Sequence, residues 1–216
     1  MLPTGTDSYR LGKACRKLGL RLTEIQLDLL VRYAEMLCDW NTRINLVSRK
    51  DSRRILSYHI IDSLAVASLI PSGKQVCDIG TGAGLPGIPL AISRPNIGMV
   101  LVESSTKRCW FLDTVITTLN LPTVTIINER AETIPYLQCD IVLSRLTTSP
   151  KRAIKEIFPH RRPGGVIILF KTKNSAVELN NALSMLDKNH LAIIRTKDVI
   201  LPISGITRKF IVIGPG

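Results

Sequence analysis

The chain is predicted to fold as an α/β protein, a sheet of seven strands preceded by a helical extension. Three observations carry this. From Lys74 onward, short apolar runs alternate with helical segments, the pattern of a parallel sheet with crossover helices. Residues 1 to about 72 carry helical signals only. Between the first apolar run and the first helix of the sheet region lies a glycine-rich turn, Val76 to Leu90, reading VCDIGTGAGLPGIPL. The expected division is an extension over 1–72 and a sheet domain over 73–216.

In chain order, Thr23 and Gln26 form a capping box. Ile25, Leu29, Tyr33, Met36 and Trp40 then recur every three or four residues, so this helix ends near Asn41. Trp40 to Ser48 alternates polar and apolar residues as a structured connector. A second helix is expected from about Asp51 to Leu69, and Pro71-Ser72-Gly73 turns the chain into the sheet. Strands are expected near 75–79, 98–103, 123–128, 139–144, 165–171, 191–198 and 208–213. Helices are expected over about 86–94, 106–119, 150–158 and 174–187. Pro202 to Gly205 makes the turn between a final antiparallel pair.

The glycine turn has the spacing of a nucleotide-type cofactor loop. Asp78 ends the strand, and Gly80, Gly82 and Gly84 follow at every second position. Glycines there let the backbone turn sharply with no Cβ to fend off a ligand. A dinucleotide loop asks for G-x-G-x-x-G, and the third glycine position is Leu85. No G-K-[ST] ending is present, which excludes a P-loop. The pattern D-x-G-x-G-x-G instead resembles the first motif of class I S-adenosylmethionine methyltransferases. A glycine turn without a ligand is the plain alternative. Against it stands Glu103, an acid about 20 positions on, at the tip of the next strand, placed to accept two ribose hydroxyls.

The composition suits a globular chain of 216 residues, 45% hydrophobic and 21% charged. No apolar run approaches the roughly 20 residues that cross a bilayer, and no secretory signal opens the chain. Cys15, Cys38, Cys77, Cys109 and Cys139 are scattered without a C-x-x-C pair, so neither a metal site nor a disulfide frame is expected. The expected location is the cytoplasm. Lys and Arg outnumber Asp and Glu by 29 to 17, which favours a polyanionic partner, nucleic acid before membrane. The basic clusters are Lys13, Arg16, Lys17 and Arg21; Arg49, Lys50, Arg53 and Arg54; and His160, Arg161 and Arg162. Each alone is a solvated face; together they favour RNA or DNA.

Over nearly its whole length the chain resembles the bacterial 16S rRNA guanine-N7 methyltransferases, the glucose-inhibited division protein B family. The resemblance rests on W-N-x-x-x-N-L at Trp40 to Leu46, H-x-x-D-S at His59 to Ser63, and the run from Asp78 to Leu90. Glu103-Ser104 with Lys107-Arg108 and Phe111-Leu112, Arg130-Ala131-Glu132, and Ser144-Arg145 add to it.

That resemblance implies a Rossmann-like class I methyltransferase sheet, S-adenosyl-L-methionine as cofactor, and 16S ribosomal RNA or the small ribosomal subunit as partner. It implies methylation of a guanine N7 in the 530 loop. Asp78, Gly80, Gly82, Gly84, Leu85, Glu103, Ala131, Glu132 and Arg145 are the implied cofactor residues. Arg145 is also the positioning candidate at the mouth of the site. Arg49, Lys50, Arg53, Arg54 and Lys171 are the RNA-binding candidates. Two departures stand out: Leu146-Thr147 replaces a small-aromatic pair, and Thr172-Lys173 follows Lys171 where the family has glycine. The first supports one rival reading, an RNA-binding protein of the same fold that has lost catalysis. Another rival is a methyltransferase acting on a small molecule or protein. His59 and Asp62 have a plain alternative as hydrogen-bonding ties to the neighbouring domain, and Arg145 as a surface residue paired with a carboxylate such as Glu132.

Overall fold

The structure, a computed structural model, describes residues 5–48, 54–145, 156–171 and 190–216. The expected helix at 174–187 lies outside them, as do Leu146-Thr147, Thr172-Lys173, and all but the end of the helix expected at 150–158. Arg49, Lys50 and Arg53 also lie outside the described residues.

The extension contains two long helices, α1 (Gly5–Lys17) and α2 (Glu24–Trp40). The capping box at the start of α2 forms as predicted, with Gln26 N–H donating to Thr23 Oγ1 and Thr23 N–H to Gln26 Oε1. Gln26 Nε2 also donates to the carbonyls of Ile92 and Ser93, which ties α2 to the sheet region. The helical period holds: Tyr33 is buried, and Leu29, Met36 and Trp40 pack against the core. Ile25 is exposed, and the buried face of α2 is Leu30, Val31, Tyr33, Ala34 and Leu37.

Of the single helix expected over about 51–69, the described part from Arg54 onward is irregular. A π-helical stretch Ile55–Ile60 leads into the short α3 (Ile61–Leu64), and a 3-10 turn covers Ala67–Leu69. Every residue from His59 to Ala67 is buried, so the segment has no solvent face. β-Branched Ile55, Ile60 and Ile61 add little helix propensity, and packing against the sheet sets the local geometry.

The sheet comprises β1 (Gln75–Ile79), β2 (Gly98–Val102), β3 (Val124–Ile127), β4 (Cys139–Ser144), β5 (Arg161–Lys171), β6 (Leu191–Ile200) and β7 (Thr207–Pro215). Its order is β3-β2-β1-β4-β5-β7-β6; only β7 runs antiparallel to its neighbours. β5 begins four residues earlier than expected, pairing Arg161 with Cys139 before a register shift. Helices α4 (Gly87–Ser93) and α5 (Thr106–Leu119) connect β1 to β2 and β2 to β3.

Successive strand residues face opposite layers. Val76, Leu101, Leu143, Ile168 and Phe210 share one core with Leu11, Leu30, Leu37, Ile60 and Leu64 of the extension. Cys77, Ile79, Val142, Ile167 and Ile211 form the core on the other face. The extension therefore covers one face of the sheet.

Candidate functional site

β1 pairs with β2 on one side and β4 on the other, so the strand order reverses between β1 and β4. Ligands of open α/β sheets bind in the crevice at the carboxyl ends of strands at that point. Here the crevice is bounded by the glycine turn after β1, Glu103 after β2 and Arg145 after β4.

The turn is held from within by Asp78. Its Oδ2 accepts the Thr81 hydroxyl at 2.6 Å and the Gly87 N–H at 2.9 Å, tying both limbs of the loop to the end of β1. Asp78 is buried, and its Oδ1 has no protein partner. Burial pushes its carboxyl up to about 6, against the Thr81 hydroxyl and Gly87 N–H that stabilise the charge. Gly80 and Thr81 donate their N–H groups to the Val102 carbonyl, so the turn is also fastened to β2. From the extension, the Tyr33 hydroxyl donates to the Ala83 carbonyl at 2.6 Å.

Gly80, Gly82 and Gly84 all have positive φ, the left-handed region where a Cβ is strained. Their surroundings differ. A Cβ on Gly82 would meet nothing within 4 Å, so this glycine opens onto free space. A Cβ on Gly84 would strike Leu112 at 2.9 Å and crowd Ile88, so this glycine lets α4 and α5 close on the turn. Gly87, which the sequence reasoning passed over, has no room for a side chain beside Leu101 and Asp78.

Opposite the turn, Glu103 is buried and its carboxylate is oriented by backbone donors. Oε2 accepts the Gly82 N–H at 2.9 Å and Oε1 the Ser105 N–H at 2.8 Å. Asn128 Nδ2 donates to the Glu103 carbonyl, and Arg108 stands 3.6 Å from the carboxylate. Further along the crevice, Ala131 and Glu132 lie on a 3-10 turn, Ala131–Thr133. The buried His160 ring pins it, with Nε2–H donating to the Ala131 carbonyl at 3.0 Å. Burial keeps that imidazole below the usual histidine range.

Arg145 enters from the tip of β4. Its guanidinium lies 3.2 Å from Asp62 Oδ2, 3.4 Å from the Ser63 hydroxyl and 6.0 Å from the Phe170 ring centre. Arg208 of β7 completes the group with a fork onto both oxygens of Asp62, at 2.6 and 3.1 Å.

The pattern of the family described as GidB, rRNA small subunit methyltransferase G, matches residues 26–199. The chain belongs to that family. The ribosomal RNA small subunit methyltransferase G of Chlorobium luteolum is 36% identical over 171 residues, 78% of this chain and 72% of its own length. That of Chlorobaculum tepidum is 35% identical over 206 residues, 94% of each chain. Among solved structures, M. jannaschii TYW2 in complex with AdoMet shares the fold, with a TM-score of 0.62 at 15% identity. The match covers 81% of this chain and 80% of that one.

As a GidB family member the chain brings its motif residues together in three ways. Gly80, Gly82, Glu103, Ala131 and Arg145 border the crevice. Asp78, Gly84 and Leu85 shape it from behind, with Asp78 enclosed by its own loop and Leu85 packed in the core. Glu132 is exposed and paired with Arg130, so the suggested Arg145–Glu132 pair does not form. Arg145's carboxylate is Asp62.

The H-x-x-D-S motif is thereby accounted for in part. Asp62 and Ser63 are the tie to the neighbouring strands, and Ser63 also donates to the His59 carbonyl. In the W-N-x-x-x-N-L motif, Asn41 Oδ1 accepts the N–H groups of Leu46 and Val47, folding the connector. Trp40 packs beside Phe111 of α5 at 5.7 Å between ring centres.

The basic clusters separate as well. Arg162 and Lys74 both pair with Asp140 at the amino end of β4, the end of the sheet away from the crevice. His160 is occupied with Ala131. Arg161 Nη1 donates to the carbonyls of Arg162 and Gly165, so each member of the third cluster has a partner within the fold, while the Arg162 side chain keeps 46% of its surface open. Lys171 ends β5 on the crevice side, and Arg54 lies 5.0 Å above the Tyr58 ring. Among the described residues, no group of three or more His, Cys, Asp or Glu could hold a metal, and no helix is long and apolar enough to cross a membrane.

Proposed function

We propose that the chain methylates N7 of a guanine in the 530 loop of 16S ribosomal RNA, in the cytoplasm, with S-adenosyl-L-methionine bound in the β1/β4 crevice. Family membership carries the reaction class and the ribosomal substrate. The observation that supports this crevice is the pairing of the Gly82 N–H with the buried Glu103 carboxylate across its mouth. The fit is good on two counts. Gly82 leaves the space that a side chain would fill, and Glu103 presents an oriented carboxylate beside it.

In this reading Gly80 and Gly82 give the close approach, Glu103 takes the ribose, and the Ala131–Thr133 turn borders the adenine. When bound, S-adenosylmethionine supplies an electrophilic methyl on a sulfonium, which the lone pair of guanine N7 accepts without losing a proton. The protein's work is therefore positioning, and no general base is required. Tyr33 and Asp78 keep the loop in one shape while Arg145, fixed by Asp62, sets the far wall. Arg145 retains N–H groups that can address a guanine edge or a phosphate. Guanine N7 lies in a major groove too deep and narrow to enter in A-form RNA, so an unstacked or exposed base is the substrate form.

The test is to map N7-methylguanine in small-subunit rRNA from cells with and without the protein, alongside tritium transfer in vitro to small subunits. Loss of one modified guanine in the deletion and its return in vitro support the reading. An unchanged rRNA map with no transfer would sink it.

A further inference from the structure

Helix α1 carries a row of cations that the site does not use. Arg10, Lys13, Arg16 and Lys17 are exposed, Arg21 follows just beyond the helix, and Tyr9 stands at one end with 68% of its surface open. Positions 9, 10, 13, 16 and 17 share one helical face. None of the ion pairs among the described residues involves any of these cations. The contrast with Arg162 and Lys74, both held by Asp140, is plain.

We infer that this stripe is a second contact for RNA, gripping the phosphate backbone beside the target nucleotide. The inference rests on the RNA-methylating function proposed above. At 1.5 Å of rise per residue, Arg10 to Lys17 sets four cations along about 10 Å, a line of charge suited to a polynucleotide strand. An exposed tyrosine beside them offers one face for base stacking. An anionic membrane is the weaker partner, because an interfacial helix must immerse its apolar face. The apolar face of α1 is already committed: Leu11, Ala14 and Cys15 are buried, and Gly12 sits against Leu27 of α2. α1 packs on α2 and α3, which carry Tyr33 to the glycine loop and Asp62 to Arg145, so the stripe stands behind the elements that reach the crevice. It therefore acts on affinity and leaves the chemical step alone.

The test is the full-length R10Q/K13Q/R16Q/K17Q variant, with its melting curve and S-adenosylmethionine affinity checked against wild type. Binding to a 16S rRNA transcript is measured over a salt series, with phosphatidylglycerol vesicles as a parallel probe. Removing four phosphate contacts should lower the slope of log Kd against log salt by about 3 and weaken low-salt binding at least tenfold. Single-turnover transfer at saturating RNA should be unchanged. An unaltered slope overturns the proposal, as does a loss confined to vesicles. If wild type binds the transcript yet transfers no methyl group to small subunits, the methyltransferase reading fails while the slope comparison still judges the stripe.

Discussion

The Arg145 guanidinium, at the tip of the strand beside the crevice, lies 3.2 Å from Asp62, a carboxylate with no exposed surface in the helical extension. The same carboxylate takes a fork from Arg208. One anion thus joins the extension, the wall of the site and the antiparallel part of the sheet. Asp62 and Ser63 of the His59 to Ser63 motif have their physical explanation in this junction.

Removing that anion leaves two guanidinium groups in a poorly solvated place. Asp62→Ala is expected to lower unfolding stability by about 3 kcal/mol or more, the usual cost of orphaning one side of a buried pair. Urea unfolding of the variant measures it. A loss below about 1 kcal/mol would show that water reaches both arginines and that the junction is peripheral.

Arg145→Lys keeps the charge and one contact to Asp62, and gives up the simultaneous reach to Ser63 and the planar fork. Methyl transfer is expected to fall at least tenfold, about 1.4 kcal/mol of barrier. Melting temperature should change far less than in Asp62→Ala. Full activity on small subunits would make Arg145 a structural tie only, with the base held from elsewhere.

Gly82 combines a φ of +63° with open space where a side chain would go. Gly82→Val should abolish measurable S-adenosylmethionine binding by calorimetry. The positive φ adds a backbone penalty of about 1–2 kcal/mol, so a modest drop in melting temperature accompanies it. Normal affinity in a folded variant would mean that the crevice beside Gly82 is not the cofactor site.

Asp78 makes stability depend on pH in an unusual direction. Its carboxyl is raised from 3.8 to about 6 in the fold, so the folded state holds its proton longer than the unfolded state. The resulting stabilisation is complete below about pH 4 and is lost as pH rises through 6. The full shift corresponds to about 3 kcal/mol at 1.36 kcal/mol per unit. Asp78→Asn keeps an oxygen for Thr81 and Gly87 and cannot titrate. Denaturant unfolding from pH 4 to 7 should show the wild type losing stability relative to this variant as pH rises. Parallel curves would place the Asp78 carboxyl outside that window.

What the sequence determined by itself was the local chemistry. Apolar runs of strand length, the D-x-G-x-G-x-G spacing and the acid at the next strand tip are all contiguous patterns, and the strands and glycine turn fall where those patterns stand. The physical reason is that period, turn chemistry and capping act within a few residues. Tertiary structure decided the rest. No periodicity could pair Asp62 with Arg145 and Arg208, bring Tyr33 to the Ala83 carbonyl, or set His160 against the Ala131 turn, because these contacts join residues far apart in the chain. Burial on every side accompanies the division of the expected helix around His59 into a π-helical stretch, the short α3 and a 3-10 turn. The place of Arg162 near the start of β5, parallel to β4, puts it beside Asp140 at the amino end of β4, away from the crevice, a partner that no run of basic residues announces.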